Sequence, residues 1–310
     1  MRKPDDCTLT PRDLVRVQKE AEKALLQAEA FGRFPTPVED VLKAVEVEEV
    51  EEDVLSESFI TSLREKAGGL LKRALGKVLG LFDARARLVF IDRTLHAVKQ
   101  RFVRLHEAGH GFLRWQRELY AVVEDSAQTI DPDTADLFDR EANVFASEVL
   151  FQRNSFSEEA EQHAFGVLVP VKLSDKYGAS IYASIRRYVS ESPRTCAVLV
   201  LDPPVLCAQA GFQCNLRRVV ASEQFKRMFG SLRLPECFSP GDKIGAMVPL
   251  GNRRMSGRRS LTFVDQNGDA HECFAEAFTQ RHQVFILILA VEKVRPTIIA
   301  AAPRSCFREA

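Results

Sequence analysis

Net charge is what this sequence lacks most plainly: 43 lysines and arginines balance 43 aspartates and glutamates among 310 residues. A chain without net charge is poorly suited to bind nucleic acid or a membrane surface non-specifically as its main activity. Long apolar runs are also missing. The longest candidate, VFILILAVEKV from Val284, falls short of the ~20 residues that span a bilayer and reads as a buried strand. The opening MRKPDDCTLTPRD has no apolar centre of the kind a secretory signal needs, so the expected location is the cytoplasm and no membrane contact is expected. No CxxC occurs, and the seven cysteines (7, 196, 207, 214, 237, 273 and 306) are odd in number and widely spaced. That argues against a disulfide framework and for a reducing compartment. A second metal site drawn from Cys207, Cys214, Cys237, His271 and Cys273 has no paired-ligand spacing behind it, and buried free thiols fit better.

What is present is ordinary globular material: 45% hydrophobic and 28% charged residues, enough to bury a core without staples. The length admits two domains of usual size. Thr10-Pro11 looks like a helix start, and residues 12–30 keep helical periodicity until Pro35 and Pro37 break it. VEDVLKAV makes a second short helix, VEVEEVEEDV (45–54) reads as a solvated face, and a third helix with two glycines follows. ARLVFID (86–92) is β-branched, apolar and bounded by charge, so a strand is expected there. Helices are then expected over 97–115, over 137–152 after a DPDTAD loop, and as a pair around Gly178 within 165–189. From Ser192 the texture turns to strands, at Val198–Leu201, Ile244–Pro249, Ser260–Val264 and Val284–Val291. The basic NRRMSGRRS (252–260) is expected as a solvated hairpin tip.

Chemistry concentrates in RFVRLHEAGHGFLRW, residues 101–115. Residues four apart share a helix face, so His106 and His110 can aim imidazole nitrogens at one ion. Glu107 is rotated by roughly 100° and reaches an open coordination position without filling it. There it can act as a general base on a metal-activated water. Each fixed letter of His-Glu-x-x-His thus has a mechanical reason. Gly109 and Gly111 flank His110 at a cost of roughly 1 kcal/mol each against alanine, which suggests a close approach by another element. A third ligand should come from a neighbouring helix, where Asp139 and Glu141 are the candidates. They lie about 200° apart, so only one can face the ion. Asp139 stands beside the apolar face and in line with Asn143, a plausible partner for a histidine N–H, and is preferred over Glu141. Tyr120, Arg104 and His163 are open alternatives for stabilising a developing oxyanion.

With RFVRLHEAGHGFL followed by DREANVFASEVLFQ, the chain resembles the ImmA/IrrE family of metallo-endopeptidases. His106, Glu107, His110, Ala142, Asn143, Phe145 and Ala146 match the family's two signatures, while Arg101, Phe102 and Arg104 correspond loosely. The chain departs at Asp139, where the family usually has glutamate, and in its LFQ ending (150–152). The resemblance implies an α+β fold: a mostly helical zincin-like peptidase domain with a small sheet over 1–152. Beside the resemblance, the residues themselves suggest a helix-turn-helix-like segment over 153–193 and a β-rich domain over 194–310, whose role is open and for which regulation is one hypothesis. The resemblance also implies Zn2+, with Mn2+ as the alternative, and a protein substrate of the helix-turn-helix repressor class, in transcription regulation or a stress response. The rival reading is a transcriptional regulator that uses a degenerate peptidase domain as a protein- or DNA-binding module. In that reading Arg186 and Arg187 would meet phosphate, a DNA contact not favoured by the neutral net charge.

Overall fold

The computed structural model describes residues 7–50, 80–83, 87–126, 130–208, 210–232 and 234–291. The glycine-bearing helix expected after residue 54, and Cys306, lie outside the described residues. Helix α1 (Pro11–Gln27) opens as its sequence dictates: Thr10 accepts the Asp13 amide, and Pro11 has no amide to leave unpaired. Helix α2 spans Val38–Ala44. Strands β1 (Glu48–Glu49), β2 (Gly80–Asp83) and β3 (Leu88–Ile91) form a small sheet in the order β1-β3-β2. β3 is the strand expected at 86–92, and it leads into the motif-bearing helix α3 (Ala97–Phe112).

α3 stops at Phe112 and does not run on to residue 115. Gly109 and Gly111 weaken its last turn. Leu113, fully buried in an extended conformation, fixes a bend before α4 (Arg114–Ser126) begins. This bend returns Trp115 and Gln116 towards the histidines. Helix α5 (Pro132–Leu150) starts earlier than expected, because DPDTAD is a helix start and not a loop. Asp131 accepts the amides of Asp133 and Thr134, and Pro132 sits in the first turn. α1 and α3 both pack on α5. A Cβ added at Gly109 would lie 3.1 Å from Phe145 Cδ1 and 3.3 Å from the Ala142 Cα. Glycine there lets the two helices approach closely.

Helices α6 (Ser155–Glu161), α7 (Leu168–Tyr177) and α8 (Ile181–Ser190) follow. Gly178 takes the left-handed conformation between the last two, and Ser180 caps α8 through the Ala183 amide. Arg187 does not face outward, so the phosphate contact of the rival reading is not open to it. Its guanidinium is buried, with Nη1 2.8 Å from Glu148 Oε1 and Nη2 donating to the Arg153 carbonyl. A carboxylate buried on α5 needs a buried cation, and Arg187 supplies it.

The C-terminal part is one antiparallel sheet. It contains β4 (Cys196–Leu201), β5 (Val205–Cys207), β6 (Gly211–Ala221), β7 (Cys237–Phe238), β8 (Arg259–Val264), β9 (Ala270–Gln280) and β10 (Gln283–Ala290), with helix α9 (Glu223–Phe229) beside it. The order is β5-β6-β4-β10-β9-β8, and β7 pairs with β6. The strand expected at Ile244–Pro249 is instead a 3-10 turn at Gly245–Met247. The Asp242 carboxylate takes both the amide and the hydroxyl of Ser239, and Gly245 packs on the Ser239 carbonyl too closely for any side chain. The basic 252–260 stretch is no hairpin tip: Met255 bridges to Phe278, and the Ser256 amide donates to Ala277 O along β9.

β4 explains its own apolar run. Cys196, Val198 and Val200 belong to the core shared with the helices, while Ala197, Leu199 and Leu201 pack on the other face with Phe225 and Phe229 of α9. Side chains alternate along a strand, so burial on both faces leaves no polar position. The run of helices ends at Ser190, the strands of this sheet begin at Cys196, and one hydrophobic core takes residues from both sides. Among the described residues no helix is long and apolar enough to cross a membrane.

Candidate metal centre

His106 and His110 emerge from α3 on the side facing α5, as their four-residue spacing requires. Their Nε2 atoms stand 3.2 Å apart, and Asp139 Oδ1 on α5 lies 3.9 Å from the first and 3.7 Å from the second. These three are the one group of potential metal ligands among the described residues. Among the described residues, no such group forms from Cys207, Cys214, Cys237, His271 and Cys273.

The proton positions on the imidazoles follow from their partners. Gln116 Nε2 donates to Glu141 Oε2 at 2.7 Å and to the Phe138 carbonyl at 3.2 Å. Gln116 must therefore present its oxygen to His110 Nδ1, 2.7 Å away, and that nitrogen carries the proton. His106 Nδ1 lies 3.1 Å from Asn143 Oδ1, an acceptor that suits a proton on that nitrogen. Both Nε2 atoms are then unprotonated and turn lone pairs towards each other. Burial depresses the pKa of His106 to about 3, with help from His110 and against the Asn143 hydrogen bond. Burial lowers His110 as well, opposed by Gln116 and by the Asp139 and Glu141 charges.

Two neutral nitrogens so close repel unless a cation lies between them. A tetrahedral zinc bound at ~2.05 Å to each would hold them ~3.3 Å apart, close to the observed separation. A carboxylate on the third side completes a donor set that suits zinc chemically. Asp139 is the most exposed member and stands slightly wide of that tetrahedral edge.

Glu141 is not in this group. It is fully buried, and its oxygens accept from Arg16 Nη2 at 2.6 Å, Trp115 Nε1 at 2.7 Å and Gln116. The two carboxylates thus divide: Asp139 faces the histidines, and Glu141 holds the glutamine that orients one of them. Sequence reasoning missed Gln116. The only signal for it was proximity to the motif, since an amide after a helix break looks like any surface residue.

Glu107 is buried on the same helix, and burial pushes its pKa up to about 8, reinforced by the Asp139 charge. Tyr120 packs its ring edge-on to His110 at 5.8 Å and to Phe138 at 5.7 Å. Burial, together with Asp139 and Glu107, keeps its phenol protonated far above neutral pH. Arg104 is committed elsewhere, 2.8 Å from Glu49. His163 is exposed beside a small cleft at α6, with no part of the donor set near it.

Comparison with known proteins bears on this arrangement directly. Residues 73–187 match a peptidase family model described as the IrrE N-terminal-like domain. The match supports an ImmA/IrrE-family peptidase-like domain over these residues. The match includes both helices of the centre, α3 and α5. Among solved structures, a Mycobacterium tuberculosis transcriptional regulator is similar with a TM-score of 0.49 and 12% identity, over 90% of this chain and 78% of that one. Among curated proteins no relative matches the chain.

Proposed function

We propose that the chain is a zinc-dependent endopeptidase, with manganese as the alternative metal, in which His106, His110 and Asp139 hold the ion. The observation that carries this reading is the pair of facing Nε2 atoms, 3.2 Å apart, with a carboxylate on their open side. A bound zinc supplies a Lewis acid for the scissile carbonyl and acidifies a water molecule. Glu107 does the proton work. With a cation beside it to favour its ionised form, the Glu107 carboxylate accepts a proton at Oε from the attacking water and delivers it to the leaving amide nitrogen. The Tyr120 hydroxyl, kept protonated by its surroundings and carried on a ring packed against His110, is the donor assigned to the developing oxyanion. Gln116 and Asn143 hold the two imidazoles in the tautomer that leaves Nε2 free.

The substrate is a cytoplasmic regulatory protein, a helix-turn-helix repressor by the family resemblance. The test is digestion of a proteome-derived peptide library, read by mass spectrometry, with wild type, chelated wild type and Glu107→Gln. Cleavage should vanish with chelator and fall by ~10²–10⁴ in the variant, which should keep its zinc. The exposure and wider placement of Asp139 favour one second reading, a metal-bearing domain that binds a regulatory protein without cutting it. Full zinc occupancy with no cleavage of any library peptide would support that reading.

A further inference from the structure

Arg16, on the first helix α1, lies ahead of the family-matched residues 73–187, yet two side chains connect it to the metal centre. Its Nη2 donates to Glu141 Oε1 at 2.6 Å, and its guanidinium lies 3.8 Å from the centre of the Trp115 ring. Trp115, the chain's one tryptophan, donates its Nε1 to Glu141 Oε2 at 2.7 Å. Gln116 Nε2 meets the same oxygen at 2.7 Å and turns its own oxygen to His110 Nδ1. Asp13, one turn before Arg16, stands 3.5 Å from Nη2 and accepts from Thr10 Oγ1 at 2.7 Å. Helices α1, α4 and α5 thus meet at one carboxylate.

Glu141 is fully buried, and Arg16 is the one cation paired with it among the described residues. An ionised carboxylate only accepts, so each of its partners has to present a donor. That requirement turns the Gln116 NH2 inward and its oxygen towards His110. A buried charge keeps its place while its counter-ion is there; without one, it gains by turning towards water. An ordinary exposed ion pair would contribute little, and the Arg16 side chain is 44% exposed. Here the partner is buried, and stacking on Trp115 fixes the plane of the guanidinium. We infer that Arg16 is a positioning residue of the metal centre, acting on His110 through Glu141 and Gln116. Helix α1 is then part of the site as well as a packing partner of α5. The inference rests on His110 being a metal ligand, as proposed above, and does not depend on proteolysis.

Two readings on the full chain test it. Ring 15N shifts of His110 in the metal-free protein report which nitrogen carries the proton, and competition with a chromophoric chelator reports zinc affinity. Wild type should hold His110 protonated at Nδ1. Arg16→Met keeps the apolar stem without the charge; it should move His110 towards a mixture of tautomers and weaken zinc binding by about five- to tenfold. In a Glu141→Gln background the same change should alter zinc affinity by less than about twofold, because the link is already cut. Arg16→Lys restores a charge without the planar fork or the stack, and should fall between wild type and Arg16→Met in both readings. Should Arg16→Met fail to fold, Arg16→Lys carries the test, and wild-type readings from it would overturn the inference. So would an equal effect of Arg16→Met in both backgrounds, or a lower melting temperature with unchanged zinc affinity and unchanged His110 shifts. Wild type that binds no zinc would overturn the metal assignment together with this inference. Wild type that binds zinc, beside a folded Arg16→Met that binds it as tightly, would overturn this inference alone.

Discussion

Gln116 Oε1 accepts the Nδ1 proton of His110 across 2.7 Å, and the same side chain is held from behind by Glu141. The histidine is therefore fixed from a carboxylate that never faces the metal side. Removing the link should loosen the ligand without removing it. Gln116→Ala is expected to weaken zinc binding by about 10–100-fold, the usual effect of losing a partner that orients a ligating histidine. Competition with a fluorescent chelator reads this directly, and unchanged zinc affinity would count against the relay.

The two carboxylates of DREAN should separate cleanly. Asp139→Ala is expected to lose zinc while stability stays within ~0.5 kcal/mol, because the side chain is largely exposed. Glu141→Ala strands the Trp115 and Gln116 donors in the core and should cost about 2–4 kcal/mol in urea unfolding. The outcome that would reverse the assignment is zinc loss without destabilisation in Glu141→Ala, paired with full zinc binding in Asp139→Ala.

Gly109 tests the helix spacing. Alanine there gains roughly 1 kcal/mol of helix propensity. Its Cβ, however, meets the Ala142 Cα at 3.3 Å, and a backbone atom can give way only if α5 moves. Overpacking of this kind costs about 1–3 kcal/mol, so Gly109→Ala should be net destabilising and should lower zinc affinity by displacing Asp139 and Asn143. A more stable variant with unchanged metal binding would show that the helices have slack.

Much of this centre was legible beforehand, and the reasons are local. The spacing of His106, Glu107 and His110 is a helix property, so the face they share follows from periodicity alone. Asn143 could be placed because it sits one turn from Asp139 on the side that meets α3. The division between Asp139 and Glu141 depended on what surrounds Glu141, and those partners come from Arg16 and from a helix beginning after an unforeseen break at Leu113. The burial of Arg187 was not readable for the same reason: its partner Glu148 lies 39 residues away on α5. Strand texture in β4 and β10 was readable because both are buried on two faces. β6 and β9 escaped notice because their polar alternation resembles loop.

The buried Arg187–Glu148 pair should show itself in acid. Burial alone would raise the Glu148 pKa, but the Arg187 charge, with hydrogen bonds from Arg187 and Gln18, outweighs it and holds the value below the usual range. The carboxylate thus stabilises the fold above its unfolded pKa near ~4.5, and that contribution disappears as pH falls through the lower folded value. The urea midpoint should accordingly drop between pH 5 and pH 3 in wild type, and less steeply in Glu148→Met/Arg187→Leu, which removes both charges. Arg187→Leu alone should cost about 3–5 kcal/mol at neutral pH, since it leaves a buried carboxylate without its main partner. Parallel pH profiles for wild type and the double variant would refute this.

Metal content tests the central claim most directly. Untagged protein, purified without chelator, should carry close to one zinc or manganese per chain by elemental mass spectrometry. His106→Ala and His110→Ala, purified alongside, should carry almost none. A wild-type protein that stays metal-free after incubation with zinc, while remaining folded, would contradict the account. The facing nitrogens of His106 and His110 would then have to be explained as structure alone.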